Sequence, residues 1–423
     1  MLSESKYIIN FKKYESLIIA FFANIVRYYD YALFGLSAAV LSKNFMPSGE
    51  NDVQMTIFFA TFSLSSSIKP FSAIIFGKIG DGSGRIASVK IASSIAAVST
   101  GMIAFIPNFS LIGWWAVLLL TFSRMLFLIS LSGEVDGIKI YVAEKVGPNR
   151  KYFVTGIVFF SSQMGVLCAS IAFYLAVSYG EIEWLWRINF IVGGLLGCVV
   201  ISLRKKLSES EEFLLCKEKS PLQGNLNIFN IIRFNKVKFF AATILNGTLG
   251  GMYHFLIIFF GSFKTYIVGA AEADYYGGYD NVILIGTYSI GCLIAGYLAD
   301  KIKTIKQISV SLIFGIACAL LMIIFPSKAY SSILPHVILV FAVPFFAVPS
   351  TIYIQSFFPI GIRMRMCGLS HSIGSVILSS TMPLVCMLIW KYTNNISLVI
   401  AYFLMHLILF FSIIIFFHKN KIA

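Results

Sequence analysis

The chain has 423 residues, 58% of them hydrophobic and 12% charged, with a formal net charge of +14. Soluble domains carry about 25% charged residues, so this composition excludes a soluble globular protein and indicates an integral membrane protein with room for a dozen spans. The basic excess then needs an explanation in membrane topology, not in a nucleic-acid partner.

Taken in chain order, Lys6, Lys12 and Lys13 precede an apolar stretch too long for a signal-peptide core, so no cleavable leader is expected. The first span is predicted over 17–41. It contains Arg27 and Asp30, three residues apart and therefore on nearly one helix face, which suggests that they pair. Tyr28, Tyr29 and Tyr31 surround them, and their ring faces suit a methylammonium cation. The second span, 55–77, carries Lys69 beside Pro70 at an expected bend. It runs into Phe76-Gly77-Lys78-Ile79-Gly80-Asp81-Gly82-Ser83-Gly84-Arg85, read as a glycine-rich charged turn. Gly77, Asp81, Gly84 and Arg85 are the candidate hinge residues there: glycine permits the tight turn, and Asp81 and Arg85 are placed to bond across helix ends.

The third span is predicted over 88–106 and the fourth over 113–142. In the fourth, Arg124 lies near mid-membrane and Glu134 about 15 Å farther along the axis. Asp136 and Lys139 follow at the spacing of a local ion pair. Spans at 154–178 and 185–203 complete the first half. The stretch 204–237, with Arg204, Lys205, Lys206, Glu209, Glu211 and Glu212, reads as a solvated linker. The second half is predicted to span at 239–262, 281–299, 308–326, 334–356, 367–390 and 396–417. Its candidate cavity residues are Tyr253, His254 and His371, and Gly296 to Lys303 forms a degraded copy of the first hinge, with Asp300 in place of Asp81. The domain reading is therefore 1–203, a linker over 204–237, and 238–423.

Lysine and arginine fix the expected orientation. With the N-terminus inside, 24 of the 33 fall on the cytoplasmic side and four (Lys43, Lys264, Lys328 and Lys391) on the other, while Arg27, Lys69, Arg124, Lys139 and Arg187 lie within spans or at their edges. That bias puts both termini in the cytoplasm. Charged groups at bilayer depth cost at least about 2.5 kcal/mol each on insertion scales, so those in the spans are expected to face a wet cavity or a partner. The acidic ones, Asp30, Glu134 and Asp136, all lie in the first half, which places any proton coupling there. The seven cysteines show no metal-ligand spacing, and neither a nucleophile–base set nor a phosphate loop appears, so no cofactor, metal or enzymatic activity is expected.

These residues resemble the major facilitator superfamily, and within it the metabolite:proton symporters that include bacterial proline/betaine transporters. The resemblance runs from about residue 17 to 395. Arg27 to Gly35 is similar to E-W-F-D-F-x-x-Y-G, Ile68-Lys69-Pro70-Phe71 to I-R-P-L, and Phe76 to Arg85 to F-G-x-x-G-D-x-x-G-R. Arg124 to Glu134 resembles R-x-x-Q-G-x-x-x-G-G-E, Val142-Ala143-Glu144 resembles V-A-E, Trp186-Arg187-Ile188-Asn189-Phe190 resembles W-R-I-P-F, and Phe357-Phe358-Pro359 with Arg363 and Gly368 resembles F-P-x-x-x-R-x-x-G. Departures are Arg27 for the glutamate, Lys69 for the arginine, Phe127 and Leu128 for glutamine and glycine, Ser132 for a glycine and Asn189 for the proline.

The resemblance implies an all-α integral membrane fold of twelve transmembrane helices in two six-helix bundles, seated in the bacterial cytoplasmic (inner) membrane. It implies a proton-coupled importer of a small polar solute of the proline or betaine type. The solute would bind at mid-membrane between bundles that rock to alternate access. Arg124 would face its carboxylate, with Tyr29, Tyr253, His254 and His371 as further contacts, and Asp30 with Glu134 would exchange protons. The alternatives are an organic-anion or dicarboxylate transporter, suggested by Arg27, Lys69 and Arg124, and a sensor that binds solute without moving it. A monomer is expected. With Ala423 close behind the last span, no cytoplasmic coiled coil is expected either.

Overall fold

The computed structural model describes residues 2–47, 49, 51–146, 150–178, 184–207, 209, 214–215, 228–260, 270–326 and 333–419, and every regular element among them is helical. Twelve helices are long and apolar enough to cross a bilayer: α1 Glu15–Leu36, α2 Thr56–Gly82, α3 Arg85–Phe105, α4 Trp114–Val146, α5 Lys151–Ala176, α6 Leu185–Arg204, α7 Lys236–Phe259, α8 Val282–Ala299, α9 Thr304–Ile324, α10 Leu334–Gln355, α11 Ile360–Thr393 and α12 Ile396–Lys419. Long Ile, Leu, Phe and Ala runs dictate this outcome, because a chain in hydrocarbon must satisfy its own backbone hydrogen bonds. All twelve predicted spans are present. Half of the 204–237 stretch lies outside the described residues.

Three of the spans depart from a plain α-helix where they meet in the interior. α2 tightens into a 3₁₀ turn at Ser66–Ile68, directly before Pro70, whose ring and missing N–H disfavour an unbroken helix. α7 widens into π-helical turns at His254–Phe259 and α11 at Ser375–Ser379. Wide turns of this kind commonly mark functional positions.

α1–α6 form one bundle, with α1 against α5 and α6 and α3 against α4 and α6; α7–α12 form the second, with α8 and α9 against α10, α9 against α12 and α7 against α11. Two helix pairs carry most of the seam between them: α2 on α11 and α5 on α8. Both rely on small residues. A Cβ on Gly156 of α5 would sit 2.6 Å from the Cys292 carbonyl of α8, and one on Gly77 of α2 would sit 2.9 Å from the Cα of Arg365 on α11. Without a hydrophobic drive between helices in lipid, such close backbone approach is a main source of association.

The hinge segment corrects the sequence reading. Residues 76–82 stay helical and only Ser83 and Gly84 turn, with Gly84 at φ 124°. Gly77 and Gly80 therefore serve packing against Arg365 and Met364, and Gly84 alone supplies the conformation that L side chains avoid. Arg204 is a second correction: it is not solvated linker but a fully enclosed side chain at the end of α6.

Candidate functional site

A cavity of about 160 Å³ lies between the two bundles, with walls from both. At roughly 10–15 Å³ for each water-sized position, it admits about a dozen waters or one small metabolite. The first bundle contributes Tyr28 and Tyr31 from α1, Lys69 from α2, Ser132 and Lys139 from α4, and Ser162 and Gln163 from α5. The second contributes Asn246, Tyr253 and His254 from α7, Tyr288 from α8, Thr351 from α10, and His371, Ser375 and Ser379 from α11.

The irregular turns position several of these groups. Lys69, just past the 3₁₀ turn, donates from Nζ to Ser375 Oγ at 2.9 Å, so α2 and α11 meet across the cavity. His254, at the start of the α7 π segment, lies 2.7 Å through Nδ1 from the Ser379 carbonyl and 2.8 Å through Nε2 from the Tyr31 hydroxyl. His254 is thus bonded at once to its own bundle and to the other. At the far side of the wall, His371 Nδ1 donates to Asp136 Oδ2 at 2.8 Å, again between bundles.

Of the predicted substrate contacts, Tyr253, His254 and His371 line the cavity; Tyr29 and Arg124 do not. Tyr29 turns into the first bundle and donates to the Asn189 carbonyl at 3.1 Å. Arg124 is held among the rings of Tyr31, Phe34, Phe62 and Phe127, at 4.3 to 5.2 Å from their centroids, and its Nε and Nη2 have no hydrogen-bond partner. Tyr31, itself on the wall, is one ring removed from Arg124. Aromatic faces attract a guanidinium without needing a counter-ion, and this cage stands where the resemblance implied an open solute contact.

The expected local pairs are also replaced. Arg27 does not bond Asp30. It bonds Glu134, which is bonded on its other oxygen by Arg204, so one carboxylate of α4 ties α1 and α6. Asp30 points instead towards α3 and α6, where a Cβ on Gly193 would fall 2.3 Å from its Oδ1; it is buried, off the cavity wall, and Oδ1 has no partner. Three-residue spacing puts two groups on nearly the same face, but about 60° of rotation separates them, enough to send Arg27 to α4 and Asp30 to α6. Asp136 likewise bonds His371 rather than Lys139, whose ammonium lies 5.0 Å from the Phe159 ring centre.

The hinge residues come together at one end of the seam. Asp81 Oδ1 accepts from Arg85 Nη1 at 2.6 Å, while Oδ2 accepts from the Arg365 backbone N–H at 3.0 Å and from its Nε at 3.1 Å. Arg85 donates in turn to the Gly80 and Ile360 carbonyls, at 2.8 and 3.0 Å. Glu144 of α4 pairs with Arg363 of α11 at 3.3 Å. The degraded second copy contributes too: Asp300 accepts from the N–H groups of Tyr152 and Phe153, at 3.2 and 3.0 Å, capping α5. Glu209 does the same for α3 through the N–H groups of Arg85 and Ile86. Sequence reasoning missed Arg363 and Arg365 as hinge partners, Glu209 as a cap and Arg204 as a ligand of Glu134. Arg363, in the stretch that resembles F-P-x-x-x-R-x-x-G, was an available signal, but the motif alone does not say which carboxylate it meets.

A family model described as sugar (and other) transporter matches residues 16–224. A putative proline/betaine transporter of Staphylococcus haemolyticus is 30% identical over 397 residues, covering 88% of this chain and 81% of that one. The chain belongs to the major facilitator superfamily. The proline/betaine transporter of Salmonella typhimurium is 34% identical over 203 residues, 47% of this chain and 41% of that protein, so the match there spans under half of the relative's length. The fold agrees: a structure of the proton:xylose symporter XylE bound to 6-bromo-6-deoxy-D-glucose superposes with a TM-score of 0.73, covering 97% of this chain and 96% of that one at 16% identity. Major facilitator proteins are multi-pass membrane transporters and not enzymes, and the twelve apolar spans accord with that class.

Proposed function

We propose that the protein is a secondary active transporter that moves a small, carboxylate-bearing polar solute across the bacterial inner membrane by alternating access, coupled to protons. The observation that carries this reading is the cavity itself: it lies between membrane-spanning helices, both bundles supply its wall, and the seam is tied at the Asp81–Arg365 end by bonds that separating bundles would break. A solute held there is exposed alternately to either side as the bundles rock. The basic bias of the loops supports a cytoplasmic position for both termini and, with them, for the Asp81 end. The halves 1–203 and 238–423 are the moving bodies, and one chain completes the cavity, so a monomer suffices.

A zwitterion of the proline or betaine type suits this wall. Lys69 would take its carboxylate, and the faces of Tyr28, Tyr31, Tyr253 and Tyr288 would take its ammonium group. A second reading, transport of organic anions, has an observation of its own: the lining contains Lys69, Lys139, His254 and His371 but no carboxylate. Counterflow in proteoliposomes with radiolabelled proline, glycine betaine, citrate and 2-oxoglutarate tests both. Exchange of the first two supports the zwitterion, exchange of the acids alone transfers the function to anions, and exchange of none removes transport.

A further inference from the structure

Ion pairs cross the seam at three places among the described residues. Asp81–Arg365 and Glu144–Arg363 belong to the hinge and pair carboxylates with arginine. Asp136–His371 lies beside the cavity, with His371 on its wall and Asp136 behind it, and only here is the cation an imidazole. Histidine is the side chain whose charge ordinarily changes near physiological pH, whereas arginine keeps its proton. The pair is also reached by water: the side chains of Asp136 and His371 remain 14% and 32% exposed, against 2% for Glu134. Glu134 is closed off by two arginines, and Asp30 is buried away from the cavity wall, so neither has the access that exchange with a passing proton requires.

We propose that the Asp136–His371 pair is the proton-carrying element of the transport cycle, holding α4 against α11 while it is protonated and releasing them when the proton leaves. This rests on the transport reading above. With the imidazole protonated, Nδ1–H to Oδ2 is a charge-assisted bond between bundles. When Nε2 gives its proton to cavity water, the electron pair stays on that nitrogen; Nδ1–H still donates to the carboxylate, but the opposite charges no longer attract each other across the seam and the contact weakens. A proton that strengthens a contact present only in the closed seam must, by linkage, bind the closed seam more tightly than the open one. Around the pair, α4 presents Lys139, α2 presents Lys69, α7 presents His254 and α11 presents Cys367, while α10 contributes the uncharged Thr351. The two lysines set a positive field in which arrival of a solute carboxylate and retention of the imidazolium proton favour each other, which is the thermodynamic requirement for symport.

The test uses full-length protein in proteoliposomes, with the solute that the four-compound panel selects. For each variant, uptake driven by an imposed proton gradient is divided by counterflow at equal pH, so that loss of binding cancels and loss of coupling does not. His371→Gln and Asp136→Asn should each lower this ratio by about tenfold, a typical coupling factor. The exchanged double variant Asp136→His with His371→Asp should recover it, which a merely structural contact would not demand. A wild-type ratio in both single variants overturns the proposal, as does a ratio that falls only in Asp30→Asn. Absence of wild-type counterflow removes transport itself, and the pair's role with it; unchanged coupling with counterflow intact removes the pair alone.

Discussion

Asp81, at the end of α2, accepts the backbone N–H of Arg365 on α11, and Asp300, at the end of α8, accepts those of Tyr152 and Phe153 on α5. Each bundle thus offers one carboxylate to a helix of the other: Asp300 to the first turn of α5, where the helix dipole favours negative charge, and Asp81 to the second turn of α11. The two hinge copies, about half a chain apart, act reciprocally even though the second has lost its Gly-Arg end.

Substituting Asp81 should open this end. Asp81→Asn leaves Arg85 and Arg365 buried beside a neutral amide, and removing one partner of a buried ion pair costs about 3–5 kcal/mol. We expect a lower thermal unfolding midpoint in detergent and faster reaction of Cys367, which is buried near the seam, with a thiol reagent. Asp300→Ala, which removes a cap from an exposed first turn, should cost only about 1 kcal/mol.

Gly77 tests close packing independently of charge. In Gly77→Val the added carbons have no space beside the Arg365 backbone, so α2 must move off α11. The expected result is intact membrane insertion with transport reduced at least tenfold, measured as counterflow; full activity would mean that this seam does not close during the cycle.

Glu134 separates structural from coupling roles. Glu134→Gln leaves Arg27 and Arg204 sharing a neutral group inside the first bundle, and the same argument of uncompensated buried charge gives about 3–5 kcal/mol of destabilisation. We expect a marked fall in unfolding midpoint. An unchanged midpoint combined with lost response to a proton gradient would return Glu134 to proton transfer.

Lys69 tests the carboxylate site. Lys69→Ala removes the ammonium group that bridges to Ser375; for a charge-assisted contact worth about 1.5–3 kcal/mol, KM should rise roughly tenfold or more, with a smaller change in maximal rate. Lys69→Arg should retain affinity in part. An unaltered KM in Lys69→Ala would place the carboxylate elsewhere, with Lys139 the next candidate.

The amino-acid sequence by itself determined the class, the twelve spans, the duplicated hinge and the expected orientation, because hydropathy, charge bias and glycine spacing are local properties that survive any arrangement of the helices. It did not determine the partners. Glu134 meets Arg204 across 70 positions and Asp136 meets His371 across 235, and spacing along one helix pointed to Arg27–Asp30 and Asp136–Lys139 instead. Only tertiary structure decided these, because the rotation of each helix about its own axis, set by packing against its neighbours, selects which side chains face the seam, which face the cavity and which, like Arg124, are wrapped in aromatic rings.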